Sequence, residues 1–128
     1  MRELFAGKLV VRRSQFFAHL YELGNEDEIM DIVKSHRSSY KKANHHCYAL
    51  RVSNQSGQIV ELVKNDGEVG HPGRVLLEVL KKHNLKHHAL VVSRIFGGIK
   101  LGVGGVSRAF RNAGEEAVKH HKSGKSVT

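Results

Sequence analysis

The sequence has no tryptophan, one proline (Pro72) and one cysteine (Cys47) among its 128 residues. A lone cysteine excludes a disulfide within these residues and a metal site built from pairs of thiolates. No apolar run approaches the roughly 18 residues that a membrane-spanning helix needs. The opening segment MRELFAGKLVVRRSQ lacks the apolar centre and cleavage site of a signal peptide. We therefore expect a cytoplasmic protein that does not enter a membrane.

The remaining composition is that of a soluble globular protein, with 40% hydrophobic and 26% charged residues. The length predicts one domain over residues 1–122, followed by a small, polar and flexible tail over residues 123–128. Lysine and arginine number 21 against 12 acidic residues, which gives a formal net charge of +9. Such a surface attracts phosphate groups, although many basic proteins use this attraction only weakly.

Hydrophobic periodicity predicts alternating strands and helices. One or two strands are expected within residues 8–23, a helix over 26–40, a hairpin of strands over 45–53 and 58–64, a helix over 72–84, a doubly buried strand over 87–96, and a helix over 104–121. This order favours a two-layer α+β sandwich in which the helices cover one face of a mixed sheet.

The segment RIFGGIKLGVGG, residues 94–105, holds five glycines between the buried strand and the last helix. A glycine-rich turn at a helix start can aim backbone N–H groups at an anion. Its spacing matches neither the Walker A motif nor G-x-G-x-x-G. The same glycines would also suit positive φ angles or close backbone packing, so both interpretations stay open. The candidate anion-binding or nucleic-acid-binding residues are Arg74, Arg94, Gly97, Gly98, Lys100, Gly102, Gly104, Gly105 and Arg108.

A second candidate lies in NDGEVGHPGR, residues 65–74, where Asp66 and Glu68 are two residues apart. Paired carboxylates can act as a general base or hold a divalent cation. Turn formation and helix capping explain the same residues, and we favour that explanation. The adjacent histidine pairs do not have the spacing of a metal site, because neighbouring strand residues point to opposite faces. We predict no metal and no cofactor.

The segments NDGEVGHPGRVLLEVLKKHNL and VVSRIFGGIKLGVGGVSRAFRNA resemble the IMPACT N-terminal family, which includes YigZ-like bacterial proteins. SQFFAHL and HHCYALRV extend the resemblance over nearly the whole chain. It implies the fold of the second domain of a small-subunit ribosomal protein, with an unusual left-handed crossover, and a role in translation or the stress response. The chain departs from the family pattern at residues 69–75, which are one residue shorter and lack the usual Ser and Thr.

Two functional hypotheses follow. The first, which we favour, is a non-catalytic regulatory module that binds RNA, or a ribosomal or translation-factor protein, through the basic surface around the glycine-rich turn. The alternative is an enzyme acting on a phosphorylated small molecule or nucleotide, with the turn holding phosphate and Asp66 or Glu68 acting as base or metal ligand.

Overall fold

The computed structural model describes the backbone of residues 1–127 and the side chains of residues 1–122. The predicted flexible tail, residues 123–128, therefore lies outside the residues whose side chains are described, and stays a prediction. The elements in chain order are β1 (Arg2–Val11), β2 (Ser14–Glu22), α1 (Glu28–Ser39), β3 (His45–Ser53), β4 (Ile59–Lys64), α2 (Pro72–Lys82), β5 (His88–Ile95) and α3 (Gly102–Val127). No helix in the described residues is long and apolar enough to cross a membrane.

The five strands form one sheet in the order β1-β2-β5-β3-β4, with β5 at the centre as predicted. The α+β class is confirmed, but the expectation of a mixed sheet is wrong, because every neighbouring pair is antiparallel. The physical reason lies in the two helical connections. Each connection joins strands of the same direction but skips one position in the sheet, so strands of equal direction are never neighbours.

The sheet is covered on both faces, which corrects the prediction that the helices share one face. Helices α2 and α3 cover one face, and their cluster includes Phe16, Leu76, Leu80, Leu90 and Phe110. Helix α1 covers the opposite face, and its cluster includes Tyr21, Ile29, Ile32, Leu50 and Val91. Strand β5 is buried on both sides from Ala89 to Arg94, so a single helical layer would leave one apolar face in water.

This topology requires one left-handed crossover. The connection β2-α1-β3 moves two strand positions across the sheet, and the connection β4-α2-β5 moves two positions the opposite way. The strands from which they start, β2 and β4, are antiparallel to each other. A half-turn about the sheet normal superimposes the two paths, so they would have the same hand if their helices lay on the same face. Because α1 and α2 lie on opposite faces, one crossover is left-handed, against the right-handed rule that holds in about 98% of cases.

Two local features shape the fold, one at the β1–β2 turn and one on helix α3. Strands β1 and β2 are antiparallel neighbours joined by a two-residue turn, Arg12-Arg13. Both turn residues have positive φ, 46° and 70°. Asn-Gly or Asp-Gly is the usual sequence for such a turn, so Arg-Arg gave no turn signal. On α3, Gly114 allows close packing, since an added Cβ would lie 3.0 Å from Leu76 Cδ2.

Candidate binding groove at the glycine-rich turn

The segment between β5 and α3 crosses the Arg12-Arg13 turn at very short range. A Cβ atom added to Gly97 would lie 2.1 Å from the carbonyl carbon of Arg13, so only glycine fits there. The Gly97 N–H donates a hydrogen bond to Ser14 Oγ, with N and O 3.2 Å apart. Gly102 has a φ of 73° and is the first residue of α3. The turn therefore needs glycine for its packing and its backbone shape.

Arg94 leaves β5 on the α2/α3 face and lies 95% buried at the base of this turn, given its 5% exposure. Its Nη1 donates to Glu68 Oε2 at 2.9 Å, and its Nη2 donates to Ser14 Oγ at 3.2 Å. The guanidinium carbon lies 5.4 Å from the centre of the Phe16 ring and 5.7 Å from that of Phe96. The Arg94 charge is thus balanced inside the protein by Glu68.

The two carboxylates of the Asp66–Glu68 turn have structural partners. Asp66 Oδ2 accepts a hydrogen bond from the His46 N–H at 2.7 Å. The Asp66 carbonyl accepts one from His45 Nδ1 at 2.8 Å, which fixes the proton of that ring on Nδ1 when it is neutral. Glu68 is buried beside Arg94, and its Oε2 lies 3.7 Å from His45 Nε2. This geometry favours the turn-forming role over general base chemistry or cation binding.

A groove of about 420 Å³ opens between the glycine-rich turn, the Asp66–Glu68 turn and the start of α3. Its polar lining comes from Asn44, His45, Arg94 and Lys100. Its apolar lining comes from Val69, Phe96, Leu101, Val103 and Val106. Phe96 is 45% exposed and Val103 is 59% exposed, although both are large apolar side chains. The groove is therefore largely apolar, with basic groups along its wall.

A smaller cleft of about 280 Å³ lies beside the groove, and Leu101 lines both. Arg12 from the β1–β2 turn and Arg108 from α3 line this cleft, together with Gly105 and Asn112. Among the residues with described side chains, neither arginine has an ion-pair partner. We call this the basic cleft.

The profile of the Impact N-terminal domain family matches residues 12–118, which include both turns, the groove and all of the cleft lining except Val11. The chain belongs to this family. The match confirms that the quoted sequence segments of this Impact N-terminal domain resemble the family.

Curated relatives extend well beyond the matched region. IMPACT family member YvyE of Bacillus subtilis is 34% identical over 121 residues, which cover 94% of this chain and 55% of YvyE. The Protein IMPACT homolog of Dictyostelium discoideum is 37% identical over 103 residues, covering 77% of this chain and 29% of that protein. The chain thus spans about half the length of its bacterial relative and less than a third of the Dictyostelium protein.

Two solved structures share the fold. A crystal structure described as a hypothetical protein has a TM-score of 0.77 and 28% identity, with 89% of this chain and 56% of that chain covered. The two-domain translational regulator Yih1 has a TM-score of 0.59 and 23% identity, with 93% of this chain and 46% of Yih1 covered. The likeness to Yih1 shows the fold alone.

The Impact N-terminal domain brings only some of the predicted anion-site residues together. Arg94, Lys100 and Gly102 line the groove, and Gly105 and Arg108 line the basic cleft. Gly97 and Gly98 shape the turn, while Gly104 lies in the first turn of α3. Arg74 is exposed on α2 and lines neither cavity. Arg12, which the sequence reasoning missed, joins the cleft because the β1–β2 turn packs against the glycine-rich turn.

A second group of polar residues lies on the opposite face, beneath α1. Ser93 Oγ is 2.8 Å from both His36 Nδ1 and His46 Nδ1, and His36 Nε2 is 2.9 Å from the Tyr21 hydroxyl. A hydroxyl has one proton, so Ser93 donates to one neutral histidine and accepts from the other. Burial lowers the pKa of His36 to about 3 and also lowers that of His46. We call these four residues the histidine network.

The histidine network had one signal in the sequence, since His36 falls on the apolar face of α1 with Ile29 and Ile32. Ser93 gave no signal, because its partners are 57 and 47 residues away. Cys47 projects to the other face, where its Sγ donates to the Asn65 carbonyl at 3.1 Å and burial raises its pKa. Among the described side chains, no group of three His, Cys, Asp or Glu is arranged to hold a metal ion.

Proposed function

We propose that this domain is a non-catalytic binding module of translation regulation that binds RNA through the groove and the basic residues around the glycine-rich turn. The observation that carries the proposal is the sign of the charge at this surface. Lys100, Arg12 and Arg108 line the two adjoining cavities, and neither lining contains a carboxylate. With a formal net charge of +9, the chain also attracts polyanions over longer distances.

The link to translation rests on a fold shared with a translational regulator. The structure of Yih1 is described as that of a translational regulator, and its fold is similar to that of this chain. A module that shares this fold and presents a basic surface is suited to bind RNA of the translation machinery.

Catalysis is the less favoured hypothesis, because the two carboxylates that it would use already make hydrogen bonds within the protein. Asp66 accepts the His46 N–H, and Glu68 is held by Arg94. Each carboxylate thus already has a structural role, and the charge of Glu68 is balanced by a buried arginine.

The test is RNA binding by fluorescence anisotropy at several salt concentrations. If Arg12, Lys100 and Arg108 each neutralise one phosphate of a single strand, the affinity should fall about 20-fold between 50 and 200 mM salt. The double variant Lys100→Gln/Arg108→Gln should bind more weakly and show a shallower salt dependence. A matched control, Lys34→Gln/Lys86→Gln, removes two exposed charges outside both cavities and should behave like the original protein.

Absence of binding by the folded protein at 50 mM salt would refute the RNA proposal. Equal losses in the two double variants would show that total charge, and not this surface, governs binding.

A further inference from the structure

The groove and the basic cleft adjoin each other, because Leu101 lines both. One part is large and mainly apolar, and the other is smaller and has two arginines. A ligand that spans Leu101 would therefore place an apolar group and an anionic group side by side. This requirement is more specific than general attraction to a basic protein.

The apolar part offers an exposed aromatic ring beside a buried arginine. The Phe96 N–H donates to Asn44 Oδ1 at 2.9 Å, which holds the backbone at that position. The Arg94 guanidinium lies 5.7 Å from the centre of the Phe96 ring and is itself fixed by Glu68 and Ser14. An aromatic ring that is 45% exposed and supported in this way is a suitable platform for stacking a nucleobase.

The groove wall also contains an unsatisfied donor. Arg94 Nε is a buried side-chain atom without a hydrogen-bond partner among the described residues. An unpaired buried donor is costly, so a partner at this position would be favourable. Because this atom is buried, a ligand acceptor would reach it only if the Arg94 side chain shifted.

The basic part fits a phosphate. Arg12 and Arg108 line the cleft from different elements, and guanidinium groups match the geometry of phosphate oxygens through paired N–H donors. The Asn112 side chain adds a further polar group to the lining. One apolar subsite beside one basic subsite suits one base and its neighbouring phosphate on a nucleic-acid strand.

We infer that the groove and the basic cleft together bind single-stranded nucleic acid, with one base stacked on Phe96 and a neighbouring phosphate between Arg12 and Arg108. This inference rests on the proposed RNA binding and specifies its substrate class. Bases in a duplex are already paired and stacked, so a double strand could use only the phosphate contacts. A single strand should therefore bind more tightly than a duplex of the same length.

The experiment compares a 12-nucleotide single-stranded RNA with the corresponding 12-base-pair duplex, using the protein and its Phe96→Leu variant. Leucine keeps the groove apolar but removes the aromatic ring. We expect Phe96→Leu to weaken single-strand binding about tenfold and to leave duplex binding unchanged. The control Phe17→Leu removes an aromatic ring from the other face of the sheet, where Phe17 stacks on Tyr40. It should leave both affinities unchanged, and thermal melting confirms that each variant is folded.

The arginine subsite is tested with Arg12→Gln/Arg108→Gln, which should weaken single-strand and duplex binding alike. Equal affinities for single strand and duplex, with no effect of Phe96→Leu, would overturn this inference and leave RNA binding by charge alone. No RNA binding at all would overturn the proposed function as well. Tighter binding of an alternating Glu-Leu peptide than of either RNA would overturn the inference in favour of an acidic protein ligand.

Discussion

Acidification from pH 7.5 to 5.5 should reduce the free energy of unfolding by about 1.4 kcal/mol through His36 alone. The His36 side chain is 1% exposed, and burial lowers the pKa of its imidazole from 6.5 to about 3. The neighbouring rings of His19 and His46 act in the same direction. The ring therefore stays neutral in the folded protein at both pH values, while the unfolded chain takes up a proton.

The magnitude follows from the unfolded state. With an unfolded pKa of 6.5, protonation stabilises the unfolded chain by RT ln 11, about 1.4 kcal/mol, at pH 5.5 and by less than about 0.1 kcal/mol at pH 7.5. The stability contribution is thus fully present above pH 6.5 and is lost as the pH falls towards 3. His46, whose pKa is also lowered by burial, adds to the loss. The pKa values of Glu28 and Glu115 are lowered from 4.5, so both remain ionised in this window.

The assay is urea unfolding at pH 7.5, 6.5 and 5.5 for the original protein, His36→Gln and the control His87→Gln. His87 is exposed, and its variant controls for the removal of one surface histidine. His36→Gln should be less stable at pH 7.5, because Ser93 and Tyr21 lose a partner, but its loss on acidification should be smaller by about 1.4 kcal/mol. Equal acid-induced losses in all three proteins would refute the claim that His36 is kept neutral by burial.

Four further predictions test other parts of the structure. Glu68→Gln leaves Arg94 buried without a counter-charge and should lower the free energy of unfolding by about 3–5 kcal/mol. The control Glu61→Gln removes a more exposed ion pair with Arg51 and should cost less than about 1 kcal/mol. Similar costs for the two variants in denaturant titrations would contradict the buried pair. Gly97→Ala would place Cβ 2.1 Å from the Arg13 carbonyl carbon and should lower the melting temperature. The control Gly104→Ala would place Cβ no closer than 3.6 Å to Arg108 Nη1 and should raise the free energy of unfolding by up to about 1 kcal/mol. A loss of stability in both variants would show that α3 begins differently. Arg12→Asn/Arg13→Gly places residues that tolerate positive φ in the β1–β2 turn and should stabilise the protein by roughly 1–2 kcal/mol. The same variant should bind RNA more weakly, because it removes Arg12. Unchanged stability would argue against the turn geometry. Cys47 is fully buried and its pKa is raised by burial, so a thiol reagent at pH 8 should react only after unfolding, and rapid reaction of the folded protein would contradict that placement.

Periodicity was a good guide to those elements whose burial pattern is simple. The bounds of β3 agree with the predicted segment 45–53, and β5 agrees within one residue at each end. The helix predicted over residues 72–84 is confirmed as α2, and its helically spaced residues Val75, Leu76, Val79 and Leu80 are all buried. Such patterns show which residues are buried, but they do not show which face of the sheet a helix covers. The position of α1 opposite α2 was therefore missed.

The candidate site could be predicted only in its local part. The glycine-rich turn was placed correctly between β5 and α3, because five glycines in twelve residues constrain the backbone locally. The groove depends on contacts between distant segments, such as Arg94 with Ser14, 80 residues apart. The Arg12-Arg13 turn has none of the usual turn residues, so neither its shape nor its approach to Gly97 could be predicted.

The polar pair Ser93-Arg94 explains how two polar assemblies coexist within an otherwise apolar central strand. Adjacent strand residues point to opposite faces, so Ser93 enters the histidine network beneath α1, while Arg94 enters the groove wall beneath the glycine-rich turn. Each polar group is satisfied on its own face, apart from Arg94 Nε. Asp66 adds a second link, because it bonds the His46 backbone through its carboxylate and the His45 ring through its carbonyl. The wall that carries Glu68 is thus anchored to β3 beside the histidine network by two hydrogen bonds of Asp66.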